Sequence, residues 1–184
     1  MNFDGNFKEL TIIDIDDLVL RVERITPEEW IKDTSRQEAF PDVATDVTTI
    51  MLKFNGYMNG GGLPSDTITY EDWDEWEDVI QPVLNQVYSL FKRPFLNKCM
   101  IANLKSSGEI QEHKDMTYSF VKSHRLHIPL ITNKDCIMTV GDDSKNMKKS
   151  VLYEVNNRRL HSVKNSGCCD RIIAYSHNTV LISY

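Results

Sequence analysis

The apolar positions of this chain change their period part-way along. Between residues 70 and 91 they fall at Trp73, Trp76, Val79, Ile80, Val83, Leu84, Val87, Leu90 and Phe91, with acidic residues opposite. This three-and-four spacing predicts an amphipathic helix that packs by one face. Pro82 lies inside it and should kink or divide it, because proline removes a backbone donor and crowds the preceding turn. Beyond the helix, residues 95–104, 125–133, 136–140, 150–155, 161–165 and 171–176 are short, rich in branched side chains and separated by turn signals. Such a series is expected of a jelly roll. Ahead of the helix, residues 10–25 (LTIIDIDDLVLRVERI) alternate in part and read as one or two strands with a turn near Asp16 and Asp17. Asp14, Asp16 and Asp17 lack the glycine and distant glutamate of a calcium loop, so a turn is the reading. Thr26-Pro27-Glu28-Glu29 has the chemistry of a helix start, and the helix should run to about Gln37. Residues 48–54 read as a strand. Residues 56–65, with Gly60, Gly61 and Gly62, read as a mobile surface loop, and segment 40–70 as a candidate lid.

Candidate chemistry gathers in residues 109–171. His113 and Asp115 are two apart, which on a strand sends both side chains to one face, and His161 follows later. Two histidines and one carboxylate are the ligand set that holds non-haem Fe(II) with coordination positions left open. Asn165-Ser166-Gly167 is a turn signal, and a hairpin folded there would set His161 opposite Arg171 on paired strands. A guanidinium beside the metal could then clamp a carboxylate. Arg125 and His127 share one face of RLHIPLI while Leu126, Ile128 and Leu130 take the other. Ion pairs to nearby acids, or an anionic ligand, would satisfy that polar face. His124 and His177 read as structural.

Three stretches, GEIQEHKDM, HRLHIPLITN and HSVKNSGCCDRI, together resemble the aspartyl/asparaginyl β-hydroxylase family of Fe(II)- and 2-oxoglutarate-dependent oxygenases, over roughly residues 99–173. The resemblance implies a mainly β fold with flanking helices, a double-stranded β-helix of the cupin-like jelly-roll type. One domain would span 1–184, with strands and supporting helices in 1–95 and the metal-bearing core in 96–184. It places His113, Asp115 and His161 at the catalytic iron-ligand positions and Arg171 at the 2-oxoglutarate carboxylate anchor. Arg125 and His127 match positions lining the co-substrate pocket. The implied activity uses O2 and 2-oxoglutarate to hydroxylate an unactivated C–H bond of an amino acid or of a peptide or protein side chain, with succinate and carbon dioxide released. Some members of the family lack the carboxylate of the first pair, and related halogenases open a halide position by losing it; the presence of Asp115 favours hydroxylation. After Arg171 the chain departs from the family pattern, with RIIAYSH in place of a histidine, a leucine and an acid.

Length and charge narrow the alternatives. A chain of 184 residues is one domain's worth. A net charge of −6 and a pI near 5.4 disfavour nucleic-acid partners, which need a basic face to displace counterions. The absence of a long apolar run disfavours a membrane span, and MNFDGNFKELTIID has no secretory pattern, so a cytoplasmic location is expected. Cys99, Cys136, Cys168 and Cys169 show no metal-type spacing and read as reduced thiols. Two other classes remain: a cupin-like metalloprotein with non-oxygenase chemistry, and a non-catalytic binding protein using the Trp73 and Trp76 helix as a partner surface.

Overall fold

A strand with apolar residues on both faces must be covered on both, and the central strands of this chain have that character. In the computed structural model, which describes residues 3–41, 43, 45–55, 67–92, 94–115 and 123–180, they form a sandwich with helices on one side. The elements in chain order are β1 (Phe7–Ile12), α1 (Asp16–Val22), α2 (Pro27–Trp30), α3 (Ser35–Ala39), β2 (Val47–Asn55), β3 (Thr67–Thr69), α4 (Trp73–Tyr88), β4 (Pro94–Leu104) and β5 (Glu109–His113). Then follow β6 (His124–Ile131), β7 (Cys136–Val140), β8 (Asp143–Lys145), β9 (Val151–Val155), β10 (His161–Asn165) and β11 (Arg171–Val180). The larger sheet has the order β1-β9-β6-β11-β4-β2-β3 and the smaller β5-β10-β7-β8. Every pairing is antiparallel. This is the expected jelly roll, and the N-terminal part does more than buttress it, since β1, β2 and β3 are strands of the larger sheet.

The period-2 pattern of the central strands sorts their side chains between two cores. Ile50, Leu52, Cys99, Ile101, Leu126, Ile128, Leu130, Ile172 and Ala174 point outward and pack under α1 and α4. On the inner face Val47 and Leu104 meet Met138, Val140 and Val163 of the smaller sheet. At roughly 1.5–3 kcal/mol for each large apolar side chain buried, these two layers dominate the fold. Trp73 and Trp76 are buried in the outer layer, so they are core and the partner-surface role for them is removed. All four cysteines are free, as expected.

Four expectations need correction. Residues 16–22 are helical because Ile15, Leu18, Val19 and Val22 form a buried stripe at helical spacing, which outweighs the β-branched alternation; only residues 7–12 are a strand there. Thr26 caps a helix through a full capping box, yet α2 ends at Trp30. Asp33 then accepts from the Ser35 amide at 2.9 Å, a local bond that competes with helix continuation, and α3 restarts the helix. Pro82 does not divide α4; it lies on the exposed face, where water can solvate the carbonyl it deprives of a donor. The fourth correction is topological. β10 and β11 are not a hairpin, because β10 pairs with β5 and β7 while β11 pairs with β4 and β6. The glycine loop read at 56–65 lies outside the described residues.

The crossing from β10 to β11 is locked by side-chain amides. Fully buried Asn165 donates to the carbonyls of Lys105 (3.1 Å) and Cys169 (2.9 Å), and Asn133 donates to Asn165 Oδ1 (2.9 Å) and to Cys169 O (3.0 Å). Gly167 makes room for this, since a Cβ there would lie 2.2 Å from Asn133 Oδ1. Asp170 then accepts from Asn103 (2.9 Å) and from the Ser106 amide (2.8 Å), fixing the start of β11.

Candidate metal and anion site

His113 ends β5 and His161 begins β10, and the antiparallel register sets the two directly opposite one another. Their rings lie 4.2 Å apart between centroids. The register also shows why His113 faces inward: Ile110 pairs with Val163, so β5 carries one extra residue before His113. A bulge of this kind restores the lost side-chain parity, and Ile110 and His113 both line the cavity between the sheets. Asp115 is two residues past the end of β5, so it and His113 do not share a strand as expected. It is placed by Asn157, whose carbonyl accepts from the Asp115 amide at 3.3 Å and whose Nδ2 donates to Asp115 Oδ2 at 3.1 Å. One ligand atom from each of His113, Asp115 and His161 lies within 4.8 Å of the others.

Both imidazoles are set up as neutral donors of a lone pair. His113 Nδ1–H donates to Gln111 O (2.7 Å) and His161 Nδ1–H to Arg159 O (3.0 Å), which leaves each Nε2 as an acceptor. Burial, then the Arg125 guanidinium, pushes the His161 pKa down to about 3, and burial lowers that of His113. Burial opposes ionisation of Asp115, but Arg125, His161, Asn157 and His113 together hold its carboxyl below the usual range. Such a set can coordinate a divalent cation, whose ligands must be deprotonated.

The larger sheet contributes the cationic side of the cavity, whose volume is about 300 Å³. Arg125 and His127 point inward from β6 while Leu126 and Ile128 point outward, as their alternation predicts. Arg125 donates to Asp115, to His161 Nε2 (2.7 Å) and to His127 Nε2 (3.2 Å). With Nε2 accepting, His127 carries its proton on Nδ1, a buried atom with no hydrogen-bond partner among the described residues. Arg171 is buried, 3% exposed. Its polar neighbour is Met147 Sδ at 3.7 Å, and among the described residues no carboxylate lies within ion-pair distance of it. Burial lowers its pKa, with a smaller push in the same direction from the Arg125 charge. Arg171 therefore joins the site from across the sandwich, in the opposite sheet to His161.

Residues that sequence reasoning did not identify also line or support the site. Arg36 enters from α3, where burial lowers its pKa and its charge acts on Tyr175, Arg125 and Asp115. Tyr175 lines the same cavity and is bonded through its hydroxyl to His177 Nε2. Lys98, fully buried on the strand paired with His177, is pushed down to about 7 by burial. Asn157 carried no sequence signal beyond a turn-forming Asn-Asn pair, and Arg36 none at all.

Solved structures share the fold, and a family profile matches the sequence. AviO1 from Streptomyces viridochromogenes Tue57 is 12% identical with a TM-score of 0.55, the alignment covering 97% of this chain and 91% of that one. HygX from Streptomyces hygroscopicus, solved with nickel and 2-oxoglutarate bound, is 8% identical with a TM-score of 0.55, covering 96% and 84%. An oxidoreductase of the 2OG-Fe(II) oxygenase family from Burkholderia pseudomallei is 9% identical with a TM-score of 0.53, covering 90% of each chain. At these identities the likeness speaks to the fold. No curated protein matches the sequence of this chain. The profile of the Aspartyl/Asparaginyl beta-hydroxylase family matches residues 66–176, beginning well before the stretch from residue 99 that carries the visible motifs and taking in α4. With that match over more than half of its length, the chain belongs to the aspartyl/asparaginyl β-hydroxylase family and is an enzyme, a 2-oxoglutarate-dependent hydroxylase.

Proposed function

We propose that this enzyme hydroxylates an unactivated C–H bond of an amino acid or a peptidyl side chain, with Fe(II) held by His113, Asp115 and His161. The observation that carries the reading is the meeting, in one cavity, of this ligand set with a buried guanidinium that has no carboxylate partner and a buried imidazole N–H that has no acceptor among the described residues. Those residues fit both implied groups. Two Nε2 nitrogens and a carboxylate suit Fe(II), which would take the His161 Nε2 lone pair in place of Arg125, while Arg171 and His127 Nδ1 offer the donors that the far carboxylate of 2-oxoglutarate requires. When bound, Fe(II) supplies the activation of O2, with 2-oxoglutarate oxidised to succinate and carbon dioxide and one oxygen atom delivered to the substrate C–H.

The chain's own residues hold and orient. Gln111 and Arg159 carbonyls fix the two imidazole tautomers, and Asn157 fixes the carboxylate. Arg125 bonds to Asp115 and His161 and lies at the junction of the metal and anion subsites. Met138, Val163 and Leu104 line the same cavity with apolar surface, so the Arg171 charge acts in a medium that screens it poorly.

The test is an anaerobic titration of the Fe(II)-loaded protein with 2-oxoglutarate, followed by the visible charge-transfer band of the chelated keto acid. The expected outcome is a saturable band, lost in Arg171→Ala and His161→Ala. Iron binding without a band would sink the co-substrate assignment, and a band that survives His161→Ala would sink the ligand assignment.

A further inference from the structure

The cavity carries more positive charge than a metal and its co-substrate account for. Among its described lining residues Asp115 is the sole acid, whereas Arg36, Arg125 and Arg171 present guanidinium groups and Lys114, exposed to water at the rim, adds an ammonium. A divalent metal and a dianionic co-substrate cancel one another, and Asp115 offsets one of the three guanidiniums. Arg171, beside His127, faces the co-substrate subsite. Arg36 has no such role. Its hydrogen bond to Thr49 Oγ1 is long, at 3.4 Å, and goes to a neutral hydroxyl. Among the described residues no carboxylate lies within ion-pair distance of it. Arg36 is half-buried, and a cation drawn partly out of water without a counter-charge gains from a ligand anion.

The surroundings of Arg36 give the rest of the ligand's chemistry. Arg36 lines the same cavity as Asp115, Arg125 and Tyr175, and its charge acts on all three. Tyr175 is four residues along β11 from Arg171, roughly 13 Å of strand. Phe40, Val43, Phe54 and Tyr175 line that cavity with apolar and aromatic surface. Residue 36 also precedes the part of the chain that the family profile matches, residues 66–176, so its contribution is a feature of this chain's own N-terminal segment.

We infer that the substrate is a small apolar acid, its free carboxylate seated on Arg36 and its body against Phe40, Phe54 and Tyr175, which makes Arg36 a specificity-determining residue. The inference rests on the oxygenase reading above and narrows it. An apolar residue inside a folded protein has no free carboxylate to offer, whereas an N-acylated amino acid does.

The test reads binding, not turnover. Protein loaded with Mn(II) and N-oxalylglycine, an unreactive stand-in for 2-oxoglutarate, is titrated with N-acetyl-L-leucine or with N-acetyl-L-leucinamide, and proton line broadening by the Mn(II) is followed. The two probes share a body and differ in the carboxylate. The acid should broaden saturably, with a Kd about tenfold or more below that of the amide. Arg36→Gln should erase the difference while the broadening of N-oxalylglycine persists, which reports an intact fold and metal site, and Arg36→Lys should keep part of it. Equal affinity for acid and amide, binding of neither, or an unchanged Kd of the acid in Arg36→Gln overturns the inference. Failure of N-oxalylglycine to broaden in the unsubstituted protein overturns the oxygenase reading beneath it.

Discussion

Asn157 holds Asp115 from two directions, with its carbonyl on the Asp115 amide and its side chain on the carboxylate. Supports of this kind fix the aim of a metal ligand, and their loss typically weakens metal affinity about 10–100-fold. Asn157→Ala is therefore expected to raise the Kd for Co(II), measured by competition with a chelating dye, by that factor. Asn157→Asp should do worse than its shape suggests, because it removes the donor and adds a like charge. An unchanged affinity in both variants would remove Asn157 from the site. At this scale the ligand residues were legible because they sit in short motifs whose spacing is itself chemical. Asn157 and Arg36 were not, since each acts through a distance closed only by the folded chain, and an isolated asparagine or arginine looks the same on any surface.

At the scale of elements, pairing places the functional groups. His161 meets His113 because β10 lies beside β5, and it meets Arg171 only across the sandwich. The turn around Ser166 gave a correct signal for a change of direction and a wrong one for the partner, because turn chemistry encodes the bend and the long-range pairing energy decides which sheet receives the next strand. The same limit explains α1, where alternation in Ile-Asp-Ile-Asp favoured a strand until the burial of Leu18, Val19 and Val22 decided for helix. The crossing itself can be tested at Gly167. Gly167→Ala puts a methyl group into the Asn133 amide, which must leave its bonds to Asn165 and Cys169. The expected loss is about 1–3 kcal/mol in chemical denaturation, with the metal ligands untouched. A stability equal to that of the unsubstituted protein would show that Asn133 is dispensable there.

The whole molecule buries an unusual set of ionisable groups, and its stability should follow pH accordingly. Burial lowers His127, His161 and His177, with His161 down to about 3. Below the unfolded value of about 6.5 the unfolded chain gains protons that the folded chain refuses, so stability falls as pH falls. Asp115, also lowered, adds to the loss as pH drops below the ordinary aspartate value. Lys98 acts in the same sense at higher pH, because between about 7 and the ordinary lysine value of 10.5 the unfolded chain keeps a proton that the folded chain has shed. The Tm of metal-free protein should therefore rise with pH from about 4 to 7 and on toward about 9, above which the Cys99 and Cys136 thiols, pushed up by burial, oppose the rise; the part above about 7 should flatten in Lys98→Met. A profile level between about pH 4 and 6.5 would contradict the burial of neutral histidines.

The two sheets also set a measure. His113 and His161 belong to one, Arg171 to the other, and all three stand on strands. Packed sheets stand about 10 Å apart and resist compression. On the proposed function, the span between keto-acid chelation and the far carboxylate is then gauged by the thickness of the sandwich itself. A diacid one methylene longer or shorter would have to buckle, tilt or forgo one of its ends, so tolerance for chain length is a mechanical property of the core.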